Sequence, residues 1–108
     1  AHSKALEAAA LTLKLVSRVP LPFKPVADQA IRAAASVPAN LAEGQGRKGR
    51  DRMHHWRIAY GSAKEVDTHL QLLVHAATVN AAGAARALDL FDQVRAMTWR
   101  LLHPQMPG

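Results

Sequence analysis

The residues whose types and spacing could do chemistry fall in two short segments. In Ser36-Val37-Pro38-Ala39-Asn40-Leu41-Ala42-Glu43-Gly44, the side chains of Ser36, Asn40 and Glu43 recur at i, i+4 and i+7, one face of a helix. Further on, Gly61, Ser62 and Glu65 form a second polar stripe, with Gly61 removing a side chain that would hold two helices apart. Facing carboxylates on neighbouring helices can divide general-acid and general-base work, or hold a metal as bundle carboxylates do. The di-metal design, however, takes carboxylates from all four helices together with Glu-x-x-His motifs, a spacing this chain lacks. The preferred reading is a buried interhelical network of Ser36, Asn40, Glu43, Gly44, Gly61, Ser62 and Glu65, in which Glu43 accepts from Ser62 or a backbone N–H and fixes the helix register. No catalytic residue is assigned.

Metal and phosphate-loop chemistry find little support. There is no cysteine, which excludes thiolate catalysis, disulfides and Cys-ligated zinc. Of the histidines, His54 and His55 are adjacent and His69 and His75 are six apart, so neither pair has the i, i+4 spacing that chelates from one helix face. The run Gly44-Gln45-Gly46-Arg47-Lys48-Gly49 lacks the G-x-x-x-x-G-K-[ST] spacing and follows a helix rather than a strand. Neither metal nor cofactor is expected.

Charge is the stronger signal. Fourteen Lys and Arg against eight Asp and Glu give a formal +6 in 108 residues, a field that attracts polyanions or acidic protein surfaces. The positive charge concentrates in Arg47, Lys48, Arg50, Arg52 and Arg57, interrupted by Asp51 and with His54, His55 and Trp56 beside it. These five residues are the candidate nucleic-acid contacts, to RNA or DNA. Without a base-reading motif, binding is expected to be salt-sensitive and weakly sequence-specific. The alternative is a solvated connection that keeps a basic protein soluble.

The elements that must position these residues are helices. Apolar residues at Leu6, Ala9, Ala10, Leu13 and Val16 step by three and four, predicting a helix over 3–19 that Pro20, Pro22 and Pro25 end. Phe23 is expected to plug one end of the core. A second helix over 25–44 carries Val26, Ala30, Ala33, Val37 and Leu41 inward; Pro38 predicts a bend, or a break with Ser36 recapping the remainder. A third, over 51–79 and capped by Asp51, shows Trp56, Ala59, Ala63, Val66, Leu70, Leu73 and Ala77. A fourth, over 84–103, buries Leu88, Phe91, Val94, Thr98 and Leu101, with a loose tail from Gln105. Short connections make neighbours antiparallel, so the fold expected is an all-α, up-down-up-down antiparallel four-helix bundle forming one domain over 1–108.

Composition agrees. The apolar fraction of 49% rests on alanine and leucine, with 5% aromatic, which suits closely packed helices. No stretch reaches the roughly 18 consecutive apolar residues of a membrane span. The first residues do not lead into a signal-peptide core, so a cytoplasmic setting is expected.

The segments Ser36 to Gly44, Gly46-Arg47 and Ala59-Tyr60-Gly61-Ser62-Ala63-Lys64-Glu65 resemble the signature of the bacterial four-helix bundle proteins related to the protein encoded in 23S ribosomal RNA intervening sequences. The resemblance covers nearly the whole chain, closely in helices two and three; His54-His55-Trp56 departs from the more aromatic and aliphatic run of relatives. It implies an up-down bundle that assembles into a ring-like homopentamer. It also implies kinship with the basic accessory protein of diversity-generating retroelements, which engages a reverse transcriptase and nucleic acid. The family's signature Asn, Glu, Gly, Arg, Gly, Ser and Glu fall on Asn40, Glu43, Gly44, Arg47, Gly61, Ser62 and Glu65.

Overall fold

A computed structural model describes residues 1–104, which form four α-helices and no strand: α1 (His2–Val16), α2 (Lys24–Gln45), α3 (Gly49–His75) and α4 (Ala81–Leu102). The loose tail expected from Gln105 lies outside the described residues. Each helix packs on its two neighbours around the bundle, α1 and α3 both touching α2 and α4, with the α2–α3 seam the most extensive. At 1.5 Å per residue the 27 residues of α3 span about 40 Å, close to the 43 Å long axis of the molecule. None of the described helices is long and apolar enough to cross a membrane.

The core follows the expected stripes in three helices, except that Ala77, beyond the end of α3, and Leu101 of α4 are exposed, and departs from the expected stripe in the first. Val37 and Leu41 of α2, Ala59, Ala63, Val66, Leu70 and Leu73 of α3, and Phe91 and Val94 of α4 are buried. Burying each large side chain among them stabilises the fold by ~1.5–3 kcal/mol. In α1 the stripe is turned by one residue: Ala5, Ala8, Ala9, Thr12 and Val16 face inward, while Leu6 and Leu13 remain 51% and 46% exposed. Both helices that α1 packs on bury alanines as well, Ala27, Ala30, Ala33 and Ala34 on α2 and Ala84 and Ala87 on α4. Alanine faces on both helices allow close approach, and a leucine in that plane would force them apart. Thr12 and Thr98, fully buried, satisfy their hydroxyls on the carbonyls of Ala8 and Val94 one turn back, at 2.9 and 2.7 Å.

Several local expectations are corrected. Of the two outcomes expected at Pro38, the break with Ser36 recapping does not occur: the helix runs unbroken from Lys24 to Gln45 with Pro38 buried in it. Phe23 lies in a short 3-10 turn (Leu21–Phe23) and is 37% exposed, so it does not plug the core. Leu101, at 38%, also faces outward. Helix α3 begins at Gly49 with Lys48 as its N-cap residue; Asp51 occupies the first turn, where a carboxylate favours the helix dipole without capping. It ends at His75 rather than 79, in a Schellman turn: the Thr78 N–H donates to the Leu73 carbonyl and the Ala77 N–H to that of Val74, with Ala77 in the left-handed region at φ 56°. Asn80 then caps α4, its side chain accepting from the Gly83 N–H at 2.8 Å.

Candidate nucleic-acid interface

Helices α2 and α3 bring the sequence's polar residues together along one half-buried strip. The Ser62 hydroxyl donates to Ser36 Oγ at 2.9 Å. Asn40, one turn below Ser36, donates through Nδ2 to the Ser36 carbonyl at 2.9 Å and to Ser36 Oγ at 3.0 Å. With its amide nitrogen so committed, Asn40 turns Oδ1 toward His55 Nδ1, 3.0 Å away. An amide oxygen only accepts, so the proton on that contact belongs to His55 Nδ1. The spacing of Ser36 and Asn40 was visible in the sequence. His55 was not, because its partner lies fifteen residues away and is reached only through the helix pairing.

Glu43, Gly61 and Glu65 stand outside this strip. All three are exposed. Nothing approaches within 4 Å of a Cβ built on Gly61. On α3 the buried positions are Ala59, Ala63, Val66, Leu70 and Leu73; at 100° per residue, Gly61 and Glu65 each fall about 200° from the buried residue two before them, on the far side of the helix. Glu43 continues the Ser36–Asn40 stripe past the seam's end, where Arg47 takes it. The carboxylates therefore neither meet each other nor accept from Ser62.

Gly44 is held for a different reason. It is buried, and the Trp56 indole lies over it while donating from Nε1 to the Leu41 carbonyl at 3.4 Å.

The basic run divides into two groups. Arg52 is built into the turn: Nε donates to the carbonyls of Gly44 and Arg47 at 3.1 and 2.9 Å, and Nη2 to that of Gln45 at 3.1 Å. It thus adds side-chain donors to carbonyls at and just beyond the C-terminus of α2, and its guanidinium sits 5.3 Å from the Trp56 ring centroid. Arg47 is a clasp, with Nη2 2.7 Å from Glu43 and Nη1 2.8 Å from Asp51. The Arg47 hydrogen bond holds the Asp51 carboxyl below its ordinary range. The same bonds, that to Asp51 first, push the Arg47 guanidinium up. Gly49, at φ 58°, turns the chain into α3 in a conformation that side-chain-bearing residues resist.

Lys48, Arg50 and Arg57, by contrast, are exposed and have no ion-pair partner among the described residues. An internally braced turn therefore presents Lys48 and Arg50, and Arg57 follows about 12 Å along α3 at the helical rise, three uncommitted cations toward one end of α3.

A comparison with curated proteins returned no match. Among solved structures, the chain is similar to a protein with unknown function from the S23 ribosomal protein family of Bacteroides thetaiotaomicron VPI-5482, with a TM-score of 0.81 and 18% identity over 94% of this chain and 96% of that one. At that identity the likeness shows a common fold. The family model described as 23S rRNA-intervening sequence protein matches residues 2–100, from the start of α1 into the last turns of α4 and across every residue of the α2–α3 turn, and the chain belongs to that family.

Proposed function

We propose that this protein is a non-catalytic, homo-oligomeric helical bundle, one domain over the whole chain, that works in the cytoplasm by binding nucleic acid, or an enzyme acting on it such as a reverse transcriptase, through the α2–α3 turn. The observation that carries the reading is the division of labour among five cations. Arg47 and Arg52 brace the turn, which leaves Lys48, Arg50 and Arg57 pointing their charge at solvent. Cations on a braced backbone need no rearrangement of the turn to meet phosphates, and their affinity derives from counterion release. Against catalysis stands the separation of Glu43 from Glu65: one is clasped by Arg47, the other lies on an outward face of α3.

Self-association is supported by α1, whose Leu6 and Leu13 lie outward on one face with exposed Ala10 between them. Water-exposed leucines at helical spacing gain by being covered, and the ring of five implied by the resemblance is one closed arrangement that would cover them in every copy.

A second reading is a purely structural oligomer or adaptor docking an acidic protein. It is favoured by the consumption of Arg47 and Arg52 inside the turn, which trims the charge available to phosphate. Gel-shift titration at low salt against single-stranded RNA, structured RNA and DNA, with light scattering for mass, separates the two. A defined oligomer that shifts nucleic acid supports the first reading, whereas an oligomer that shifts none supports the second.

A further inference from the structure

We propose that the groove between α3 and α4 is a stacking platform for the bases of a single-stranded nucleic acid; this rests on the nucleic-acid reading above and names the class of substrate. Tyr60, Asp92, Arg95, Ala96, Trp99 and Arg100 line an open groove of about 410 Å³. Its aromatic rings come from both walls. On α3, Tyr60 carries Lys64 one turn on, with Nζ 5.9 Å from the ring centroid. On α4, Trp99 stacks on His103 one turn on, with centroids 4.1 Å apart and planes inclined by 23°. A ring has two faces: His103 covers one face of the indole, yet Trp99 stays 37% exposed within the groove wall.

The charges of the groove border these rings, with Lys64 lying over the face of Tyr60. Arg95 is neutralised, its Nη2 shared between Asp67 at 3.1 Å and Asp92. That leaves Lys64 and Arg100, both exposed and without an ion-pair partner among the described residues, flanking the aromatics. Ala96, also in the lining, adds no bulky side chain to the groove. Flat apolar faces bordered by cations match an unpaired base flanked by phosphates. In a duplex the base faces are already stacked on one another and cannot enter such a groove.

The groove also leads to the basic turn. Arg57 lies one turn before Tyr60 on α3, and Arg50 about 15 Å from Tyr60 at the helical rise, so a strand stacked at Trp99 would carry its backbone toward Arg57, Arg50 and Lys48. Charge complementarity along that line selects a polyanion over an apolar peptide.

The test uses the full chain and a fluorescein-labelled dT oligonucleotide beside a duplex of equal length, at low salt. Anisotropy should show tighter binding of the single strand. Trp99→Ala with Tyr60→Ala should weaken it ~5- to ~100-fold, with duplex binding unchanged, while Trp99→Phe retains most of the affinity. Binding of unlabelled dT should quench tryptophan fluorescence in the native protein, and Trp99→Phe should abolish that quench with Trp56 still present. Circular dichroism melting confirms the fold; if the alanine variant does not fold, the quench in native protein and Trp99→Phe decides alone. Equal affinity for both strands, unaffected by these substitutions and without quenching, overturns the groove and leaves the basic turn standing. Absence of any binding by the native chain overturns both.

Discussion

Trp56 occupies the space in which residue 44 would carry a side chain: a Cβ built on Gly44 would lie 2.5 Å from both Cδ1 and Nε1 of the indole and 3.1 Å from the Arg52 carbonyl. The glycine is therefore a packing requirement of the α2–α3 seam. Gly44→Ala should destabilise the fold by ~1–3 kcal/mol, as overpacking does. Gly61 is its control, since a Cβ there meets nothing within 4 Å. Gly61→Ala, inside an exposed helix, should stabilise by ~0.5–1 kcal/mol. Urea unfolding of the two variants, read at constant m-value, checks the opposite signs.

The hydroxyl pair Ser36 and Ser62 ties α2 to α3 in a half-buried seam. Ser36→Ala and Ser62→Ala should each cost ~0.5–1.5 kcal/mol, and the double variant less than their sum because both singles break the same bond. Glu65→Gln, on the outward face, should change stability by less than ~0.5 kcal/mol. A double-mutant cycle that is strictly additive, or a large loss on Glu65→Gln, contradicts this account of the seam.

Ala77 holds a left-handed conformation at the end of α3, at φ 56°. Alanine there is strained by ~1–2 kcal/mol and glycine is not. Ala77→Gly should therefore raise the melting temperature, in contrast to the usual effect of adding a glycine, and calorimetry decides the sign.

The Asp51 carboxyl is held below its ordinary value of 3.8, first by its hydrogen bond from Arg47. A carboxyl depressed by folding adds stability above its unfolded pKa and loses it as pH falls through the lowered folded value. The Arg47–Asp51 contact should thus survive mild acid and open only below the ordinary Asp range. Carboxyl carbon shifts of Asp51 followed by NMR should show a midpoint under 3.8 that moves upward in Arg47→Ala.

Most of the bundle was legible because its signals are periodic. Alanine and leucine at three- and four-residue steps specified α2, α3 and α4 and their inward faces. In α1 two apolar stripes coexist, and hydrophobicity favoured the one with leucines; the alanine stripe is the buried one, and the helices α1 packs on, α2 and α4, bury alanines of their own, a fact belonging to the packing rather than to one helix. The polar strip was legible at Ser36, Asn40 and Ser62, whose position at the seam follows from neighbouring buried residues. Glu43 and Glu65 were misplaced because seven-residue spacing on α2 and proximity to Ser62 on α3 ignore where each helix turns away from its partner. Nothing local marked Arg52 as a cap for α2 or Arg47 as a clasp: five consecutive-looking cations differ only in which backbone and carboxylate oxygens the folded turn places beside them.

The claim that this turn grips phosphate is tested most directly by the salt dependence of binding to a single-stranded RNA, measured by anisotropy between about 50 and 200 mM salt. Three neutralised phosphates at Lys48, Arg50 and Arg57 should give a slope of log affinity against log salt of about −2, to which any further cations add. Alanine at all three positions should remove about that much slope without lowering the melting temperature. An affinity indifferent to salt, or a slope unchanged in the triple variant, would contradict the assignment.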